Sequence, residues 1–386
     1  MLKVAIGHSE DVDSLDAAQE VLAQCKKTLK NLSPQAGILY SAIDFEHQVI
    51  LDEINKTYPD IELTGCTTDG ELSSVSGFLE DSITLILFYS DDIQIKLGIG
   101  RNISQNLDSA IKTATEEAKS GIDQDIKFCV TLPESLTISG VSVLEGLKET
   151  LGGKIPIFGG TAADQWRTKQ TYQFYRNEVL SDSVPILLFA GNLLFSHGVS
   201  SGWKPLGKPK TVTKVDQNIL YEVDEEPVLD FFNAYLGYHS LTPGEYPLAV
   251  YEPEGEGYYL RSALKYDEDI KSITFAGDIP LNSTVQLTQA SSTEIIDATK
   301  ESFLQALNTY PGEEADFALV FSCAARKALL GVNTSKEYNT LKESASKKCP
   351  DNICGFYAYG EIAPLKKSQP SRFHNSTFVI LLVGTK

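Results

Sequence analysis

The fold of this chain is decided by residues 65–71, which read Gly-Cys-Thr-Thr-Asp-Gly-Glu, because related loops recur twice further along the sequence. The second copy is Gly-Gly-Thr-Ala-Ala-Asp at residues 159–164, and the third is Gly-Phe-Tyr-Ala-Tyr-Gly-Glu at residues 355–361. An Asp-Ser or Asn-Ser pair and an apolar run follow each copy. These pairs begin at residues 81, 182 and 375, with a weaker echo at 282. A steady period of about 100 residues indicates internal duplication.

Each glycine loop has the same place in a predicted unit of strand, helix, strand, glycine loop and strand. In the first unit, residues 36–40 form a strand, an amphipathic helix follows, and residues 61–64 lead into the loop. Two strands joined by such a helix are most simply parallel. The sequence therefore predicts an α/β fold of duplicated strand-helix-strand-loop-strand units in two domains, with mixed sheets and flanking helices. Further helices are predicted at residues 15–29, 106–119 and 293–307.

The domain organisation follows from a segment rich in residues that end helices and strands. Residues 202–209 read Gly-Trp-Lys-Pro-Leu-Gly-Lys-Pro and mark the best boundary. We therefore predict one domain over residues 1–209 and a second over residues 210–386. Within the second domain, a run of strands from Tyr246 to Leu287 is interpreted as a degenerate additional unit.

The glycine loops are the predicted binding edge of the molecule. They leave the C-terminal ends of parallel strands, where open α/β sheets bind their ligands. Glycine permits a sharp turn or a close approach of the backbone to a ligand, because it has no Cβ. At this point a ligand-binding role and a purely structural role both stay open.

Composition and charge exclude several classes of protein. The 386 residues carry a net charge of −19, which disfavours nucleic acid and anionic membranes as partners. No apolar run approaches the roughly 18 residues that span a bilayer, and the N-terminal sequence lacks the apolar stretch of a signal peptide. Six cysteines in a chain of this length indicate a reducing compartment, and their spacing is wrong for zinc. A cytoplasmic protein without a metal site is expected.

With these motifs assembled, the chain resembles the FIST family (F-box and intracellular signal transduction proteins). The motifs follow the family's order from about residue 30 onward, and besides the three loops they are Gly-Trp-Lys-Pro-Leu-Gly at 202–207, Phe-Ser-Cys-Ala-Ala-Arg at 321–326 and Phe-His-Asn-Ser-Thr-Phe at 373–378. The resemblance implies a FIST N and a FIST C domain. It also implies a stand-alone intracellular sensor of a small ligand, an amino acid or a derivative. The implied partner is a signalling protein such as a histidine kinase, a chemoreceptor or a cyclic-dinucleotide enzyme.

An amino-acid-like ligand needs a cation for its carboxylate and an acceptor for its ammonium group. Arg326 follows a predicted strand that ends near the binding edge, and its planar guanidinium suits a carboxylate. Acidic side chains in or beside the glycine loops would take the ammonium group, and threonines there could form hydrogen bonds. The competing interpretation pairs Arg326 with Glu361 or has both cap local helices. The predicted ligand-binding residues are Cys66, Thr67, Thr68, Asp69, Glu71, Thr161, Asp164, Cys323, Arg326, Tyr357, Glu361, His374 and Asn375.

Three rival functions stay open beside the metabolite sensor. Some FIST proteins bind haem and respond to nitric oxide, and His197 would then be the axial ligand; otherwise no cofactor is predicted. A cysteine-dependent hydrolase would use Cys66 or Cys323 as nucleophile and His374 as base. The sequence contains no nucleophile elbow, P-loop or dinucleotide fingerprint, so a protein that is not an enzyme is expected. The last alternative is a scaffold that binds only other proteins.

Overall fold

A computed structural model describes residues 2–237, 242, 244–251, 257–344 and 348–385. Within these ranges no helix combines the length and the apolar character needed to cross a membrane. The chain forms three units of similar topology, and the third unit contains a long insertion. The first unit consists of β1 (Leu2–Ser9), α1 (Ser14–Leu29), β2 (Ala36–Ser41), α2 (His47–Thr57), β3 (Glu62–Thr67), β4 (Glu71–Ser73), β5 (Gly77–Leu79) and β6 (Ile83–Ser90).

The second unit repeats this order without interruption. It consists of β7 (Ile93–Arg101), α3 (Leu107–Lys119), β8 (Ile126–Thr131), α4 (Gly140–Leu151), β9 (Ile157–Gly160), β10 (Gln173–Tyr175), β11 (Glu178–Leu180) and β12 (Ser183–Gly191).

The third unit begins at β13 (Leu193–Ser200) and is then interrupted by the insertion. The insertion contains β14 (Lys204–Asp216), β15 (Ile219–Val223), β16 (Glu226–Pro227), α5 (Val228–Leu236), β17 (Leu248–Tyr251), β18 (Tyr258–Arg261), β19 (Ala263–Asp267), β20 (Ser272–Phe275) and β21 (Thr284–Gln289). The unit resumes with α6 (Ser292–Thr309), β22 (Phe317–Cys323), α7 (Ala324–Leu330), a 3₁₀ turn (Gly331–Asn333), α8 (Ser335–Glu343), β23 (Ile353–Ala358), β24 (Glu361–Pro364), β25 (Ser371–His374) and β26 (Phe378–Thr385).

Each unit builds four strands of a six-stranded sheet. The first sheet has the order β1-β6-β2-β3, the second β7-β12-β8-β9 and the third β13-β26-β22-β23. In each sheet the two strands joined by a helix are parallel, namely β2 with β3, β8 with β9 and β22 with β23. The remaining pairs are antiparallel. The predicted α/β class, the parallel pairs and the mixed sheets are confirmed.

Every sheet is completed by a hairpin that belongs to another unit. The hairpin β10–β11 of the second unit pairs with β3, the hairpin β24–β25 of the third unit pairs with β9, and the hairpin β4–β5 of the first unit pairs with β23. The three units are therefore linked in a closed cycle.

The three sheets enclose a common apolar core. Phe88 on β6, Phe189 on β12 and Phe317 on β22 meet there, with ring centroids 5.6, 5.0 and 6.5 Å apart. Helices cover the outer faces, with α1 and α2 on the first sheet, α3 and α4 on the second and α6 and α8 on the third. The result is a three-sided prism whose walls are sheets. Strands buried on both faces explain the nearly continuous apolar runs in the sequence.

The insertion is not the additional unit that the sequence indicates. Its strands form a separate sheet, β18-β17-β21-β14-β15-β20-β19, with its own core under α5. All neighbouring strands in it are antiparallel, so the expected parallel pair is absent from the part of the insertion that the structure describes. The Asn282 echo is a turn of this sheet, with Asn282 at φ 63°. The predicted boundary between residues 209 and 210 falls within β14, and the division there stays a prediction.

Candidate functional site

The three glycine loops meet at one end of the prism, beyond the C-terminal ends of the parallel strands. Backbone hydrogen bonds join the first loop to the third, the third to the second and the second to the first. These bonds run from Asp69 N–H to Tyr357 O (2.9 Å), from Thr161 N–H to Gly360 O (2.9 Å) and from Ala163 N–H to Thr67 O (2.8 Å). The convergence of equivalent loops predicted from the repeat is confirmed.

The first glycine of each loop is required by the neighbouring strand. A Cβ added to Gly65 would lie 2.0 Å from the carbonyl oxygen of Leu39 on the adjacent parallel strand. The equivalent distances are 1.9 Å at Gly159 and 2.0 Å at Gly355. Real side chains cannot approach a carbonyl this closely. These glycines therefore let two strands pack, and the structural interpretation accounts for them fully.

A ring of equivalent polar side chains lies beneath the loops, on the first residue of each exchanged hairpin. Glu71 pairs with Phe356, Gln173 with Cys66 and Glu361 with Gly160 in the three sheets. Each accepts a hydrogen bond from the hydroxyl at the start of the unit's last strand: Ser82 to Glu71 (2.5 Å), Ser183 to Gln173 (3.0 Å) and Thr377 to Glu361 (2.7 Å).

Burial makes the carboxyl groups of Glu71 and Glu361 weaker acids than an ordinary glutamate. It raises the pKa of Glu71 to about 8 and that of Glu361 to about 8, although hydrogen bonds from neighbouring hydroxyls oppose the shift. Both side chains are fully buried, so both carboxyls are largely protonated at neutral pH. They belong to the protein interior, and their geometry does not support the predicted contact with a ligand's ammonium group.

Arg326 also lies in the interior, where a carboxylate that the sequence reasoning missed neutralises it. Its Nε and Nη2 donate to Glu337 Oε1 at 2.9 and 2.6 Å, and both side chains have 0% exposure. Nη1 donates to the Ser201 carbonyl at 2.5 Å, and Nη2 also donates to Thr299 Oγ1 at 2.7 Å. Arg326 forms an ion pair within the protein, as the competing interpretation expects, but its partner is Glu337 and not Glu361. We do not retain Arg326 as a ligand contact.

The other oxygen of Glu337 completes a buried polar network. Glu337 Oε2 accepts from Ser322 Oγ at 3.0 Å and from the Tyr357 hydroxyl at 2.6 Å. Tyr357 is fully buried, so its assigned role in ligand binding is also replaced by a structural one. The network ties α8 to the two parallel strands of the third sheet.

The open part of the loop end is built around Asp69 and Lys327. Lys327 Nζ lies 3.1 Å from Asp69 Oδ1 and 3.4 Å from Glu80 Oε1. The Asp69 side chain is fully buried, whereas 12% of the Lys327 side chain and 56% of the Glu80 side chain are exposed. Asp69 Oδ2 has no hydrogen-bond partner among the residues that the structure describes. The Trp166 indole is the nearby side-chain donor to this carboxyl, and its geometry leaves Oδ2 open to a better-placed donor.

Burial raises the pKa of Asp69 to about 7, and the ammonium group of Lys327 opposes this shift. The indole of Trp166 is close enough to lower the pKa of Asp69 as well. Asp69 thus changes charge near neutral pH, unlike an ordinary exposed aspartate. Perturbed acidity beside a specific counter-charge is typical of functional sites.

Asp164 organises the second loop and has no capacity left for a ligand. Its carboxylate accepts from the backbone N–H groups of Thr168 (3.0 Å), Lys169 (2.7 Å) and Gln170 (3.1 Å). It also accepts from the Tyr359 hydroxyl at 2.6 Å. Asp164 is therefore a positioning residue for the segment that carries Trp166.

The remaining predicted residues are buried side chains around the loops. Thr67 Oγ1 accepts from the Tyr172 N–H at 3.0 Å, and the Thr68 hydroxyl donates to Glu71. Asn375 Oδ1 accepts from the Ser262 N–H of the insertion at 3.4 Å. Thr161 Oγ1 is buried and has no partner within the described ranges.

The cysteine and histidine environments do not favour nucleophilic catalysis. Burial raises the pKa of the Cys66 thiol and of the Cys323 thiol well above the ordinary value. A nucleophilic cysteine needs the opposite shift. His374 Nε2 lies 2.9 Å from the Ala363 carbonyl oxygen, and burial lowers its pKa to about 4. Such an imidazole is a weak base.

Alkylation of the native protein tests this assignment. Iodoacetamide at pH 8 is expected to label Cys349 first, because Cys349 is the partly exposed cysteine whereas Cys66 and Cys323 are buried. Peptide mapping by mass spectrometry after short reaction times gives the order. Rapid labelling of Cys66 or Cys323 in the folded protein would restore the hydrolase hypothesis.

The surroundings of His197 do not fit a haem. The ring packs against Phe158 with centroids 5.3 Å apart, and a hydrogen bond to the Pro364 backbone raises its pKa against the larger lowering effect of burial. An axial ligand needs a flat apolar cavity in front of the ring. Two cavities in the described part of the chain do not include His197: one of about 530 Å³ lies between α3 and Tyr175 and one of about 260 Å³ lies between β5 and α8.

Three functional or structural residues escaped sequence reasoning. Lys327 follows Arg326 directly. It was not predicted, because a guanidinium can form two parallel hydrogen bonds with a carboxylate and an ammonium group cannot. Glu337 lies in a polar helix with no motif around it. Trp166 lies two residues after residues 159–164, and a tryptophan followed by a run of polar residues was the available signal.

Comparisons with known proteins agree with the motifs. A family model described as the FIST N domain matches residues 35–226, and one described as the FIST C domain matches residues 228–364. An uncharacterised protein of Methanocaldococcus jannaschii is 24% identical over 363 residues, 85% of this chain and 68% of that protein. An uncharacterised protein of Aquifex aeolicus is 42% identical over 55 residues, 14% of this chain and 20% of that protein.

Two solved structures are similar at a low level. A cyanuric acid hydrolase from A. caulinodans has a TM-score of 0.36 and 9% identity over 100% of this chain and 99% of that chain. A chorismatase has a TM-score of 0.38 and 6% identity over 100% of this chain and 98% of that chain.

Proposed function

The chain belongs to the FIST family of sensory domains in signal transduction, and from this premise we propose that it binds an amino acid or a derivative at Asp69 and Lys327. The observation that carries the proposal is the buried Asp69 carboxyl, which has one oxygen without a hydrogen-bond partner among the described residues and lies beside Lys327, whose side chain is 12% exposed. A separate signalling protein, such as a histidine kinase, a chemoreceptor or a cyclic-dinucleotide enzyme, would receive the signal. The proposal includes no catalytic step.

The charges around the site suit a zwitterion. The ligand's ammonium group would donate a hydrogen bond to Asp69 Oδ2, which is already buried. Its carboxylate would take the Lys327 ammonium group, which now spans the 3.1 Å to Asp69 and the 3.4 Å to Glu80. Lys327 need only turn from one anion to another. Both charges of the ligand are then matched without leaving a buried ion alone.

The position of the site explains how binding could reach a partner. Asp69 belongs to the first unit, Lys327 to α7 of the third unit and Trp166 to the second glycine loop. A ligand there contacts all three units at once. A Cβ added to Gly244 of the insertion would lie 3.3 Å from the Trp166 ring, so the insertion also borders the site. Small shifts of Trp166 would therefore act on the insertion.

Fluorescence provides a direct test, because Trp166 and Trp203 are the two tryptophans of the chain. Trp203 is buried at 1% exposure, so Trp203→Phe leaves Trp166 as the reporter. Titration of this variant with amino acids is expected to shift or quench its emission at saturating ligand. In the same background, Asp69→Asn and Lys327→Met are each expected to weaken binding at least about tenfold, since each removes a charged hydrogen bond.

Lys210→Met serves as the matched control. Lys210 also pairs with an aspartate, Asp224, at 3.1 Å, but it lies in the insertion sheet. Its replacement should leave the titration unchanged. Amino acids that bind equally well to the wild-type chain and to both site variants would place the ligand elsewhere. A titration without any response in the parent would reject the proposed function.

A further inference from the structure

The second glycine loop is longer than its two equivalents. Glu71 and Glu361 lie six positions after the first glycine of their loops, Gly65 and Gly355, whereas the equivalent Gln173 lies fourteen positions after Gly159. The symmetric fold does not need the eight additional residues. They include Trp166, which lies beside Asp69 at the proposed site.

The additional residues hold an unusual backbone conformation. Gln165, Trp166 and Thr168 have φ angles of 55°, 60° and 50°, in the left-handed region that bulky side chains rarely adopt. A tight loop of the same length could use glycine there. Strain of this kind persists where the surrounding contacts enforce it, and it is concentrated at binding sites.

Two side chains enforce the conformation of Trp166. Its backbone N–H donates to the Tyr359 hydroxyl at 2.5 Å, and that hydroxyl donates to Asp164 Oδ1 at 2.6 Å. The indole and the Tyr359 ring are then 5.6 Å apart and inclined by 50°. Both rings are partly exposed. Together they form an aromatic wall next to the Asp69 carboxyl.

We propose that Trp166 is the specificity-determining residue of this site and that its ligand is an amino acid, or a derivative, with an aromatic side chain. The inference rests on the proposed function, in which Asp69 and Lys327 hold the ammonium and carboxylate groups. The side chain of such a ligand extends towards the wall formed by Trp166 and Tyr359. Inclined rings at this spacing favour an aromatic group over a saturated one of equal size, because ring edges and faces carry opposite partial charges.

Isothermal titration calorimetry of the full chain with phenylalanine, cyclohexylalanine and alanine separates the contributions of aromatic contact, apolar area and the amino-acid backbone to the affinity. Phenylalanine and cyclohexylalanine have similar size, so their ratio reports on aromatic contact and not on apolar area. The wild-type protein is expected to bind phenylalanine about tenfold more tightly than cyclohexylalanine. Trp166→Leu is expected to reduce this ratio to about one.

A second variant distinguishes contact from positioning. Tyr359→Phe keeps the ring but removes the bonds to Asp164 and to the Trp166 N–H, and it is expected to reduce the same ratio with an unchanged unfolding midpoint. Equal binding of phenylalanine and cyclohexylalanine to the wild-type protein would overturn the inference and leave the proposed function intact. Failure of all three ligands to bind would reject the proposed function and the inference together.

Discussion

Replacing Arg326 by methionine is expected to destabilise the folded protein by about 3–5 kcal/mol. The substitution leaves the Glu337 carboxylate fully buried without its counter-charge, and the Ser201 carbonyl loses its donor. Removal of one partner from a buried ion pair costs far more than the net value of the pair, because the remaining charge has no water around it. Urea unfolding monitored by circular dichroism gives the change in the free energy of unfolding.

The double variant Arg326→Met/Glu337→Gln is the control. It removes both charges and should recover a large part of the loss, since no isolated ion remains. An Arg326→Met protein that keeps its stability but loses ligand affinity would contradict the structural role and return Arg326 to the binding site. Affinity lost together with stability would carry no information on contact, so variants at Lys327 are the better probe.

The stability of the protein is expected to decrease as the pH rises from about 6.5 to about 8, because below this range the lowered pKa values of the buried His8 and His374 act in the opposite direction. In the folded state Glu71 and Glu361 hold their protons up to a pKa of about 8, against an ordinary value of 4.5. Unfolding between these two values therefore releases protons, and each group lowers the free energy of unfolding by about 1.4 kcal/mol per pH unit. The stabilisation is complete below the ordinary pKa and lost once the pH exceeds the folded value. Urea titrations between pH 6.5 and pH 8, where the histidines are largely neutral in both states, measure this slope.

The second unit supplies the matched variants. Gln173 occupies the equivalent position and shows that a neutral amide fits. Glu71→Gln and Glu361→Gln should each remove the contribution of one carboxyl group from the slope of the unfolding free energy against pH. Gln173→Glu should add one such contribution. A slope that is the same in the parent and in the double glutamine variant would show that other groups cause it.

The repeat itself was readable from the sequence, because close packing of the two parallel strands requires a glycine at the same place in every unit. The apolar runs that became β6, β12 and β26, and the helices at 14–29, 107–119 and 292–309, follow the expected positions closely. The hydrophobic pattern of the sequence was sufficient to place these helices and strands, because each is long and has a periodic apolar face.

The partners of the predicted site residues could not be read from the sequence. Lys327 lies 258 residues from Asp69 along the chain, and nothing local distinguishes it from Arg326. Arg326 points towards Glu337 and Lys327 towards Asp69 because α7 turns about 100° per residue. The hairpin exchange was also invisible, since strands of three or four residues carry almost no periodic signal.

The position of β26 has a consequence for synthesis on the ribosome. Residues 378–385 form an internal strand of the third sheet, between β13 and β22. Until they are made, β13 lacks its partner, and the hairpin of residues 71–79 can pair only with an incomplete sheet. The nascent chain must therefore keep these apolar edges unpaired until residue 385 has been translated, which is the state in which β-rich proteins most readily aggregate or recruit chaperones.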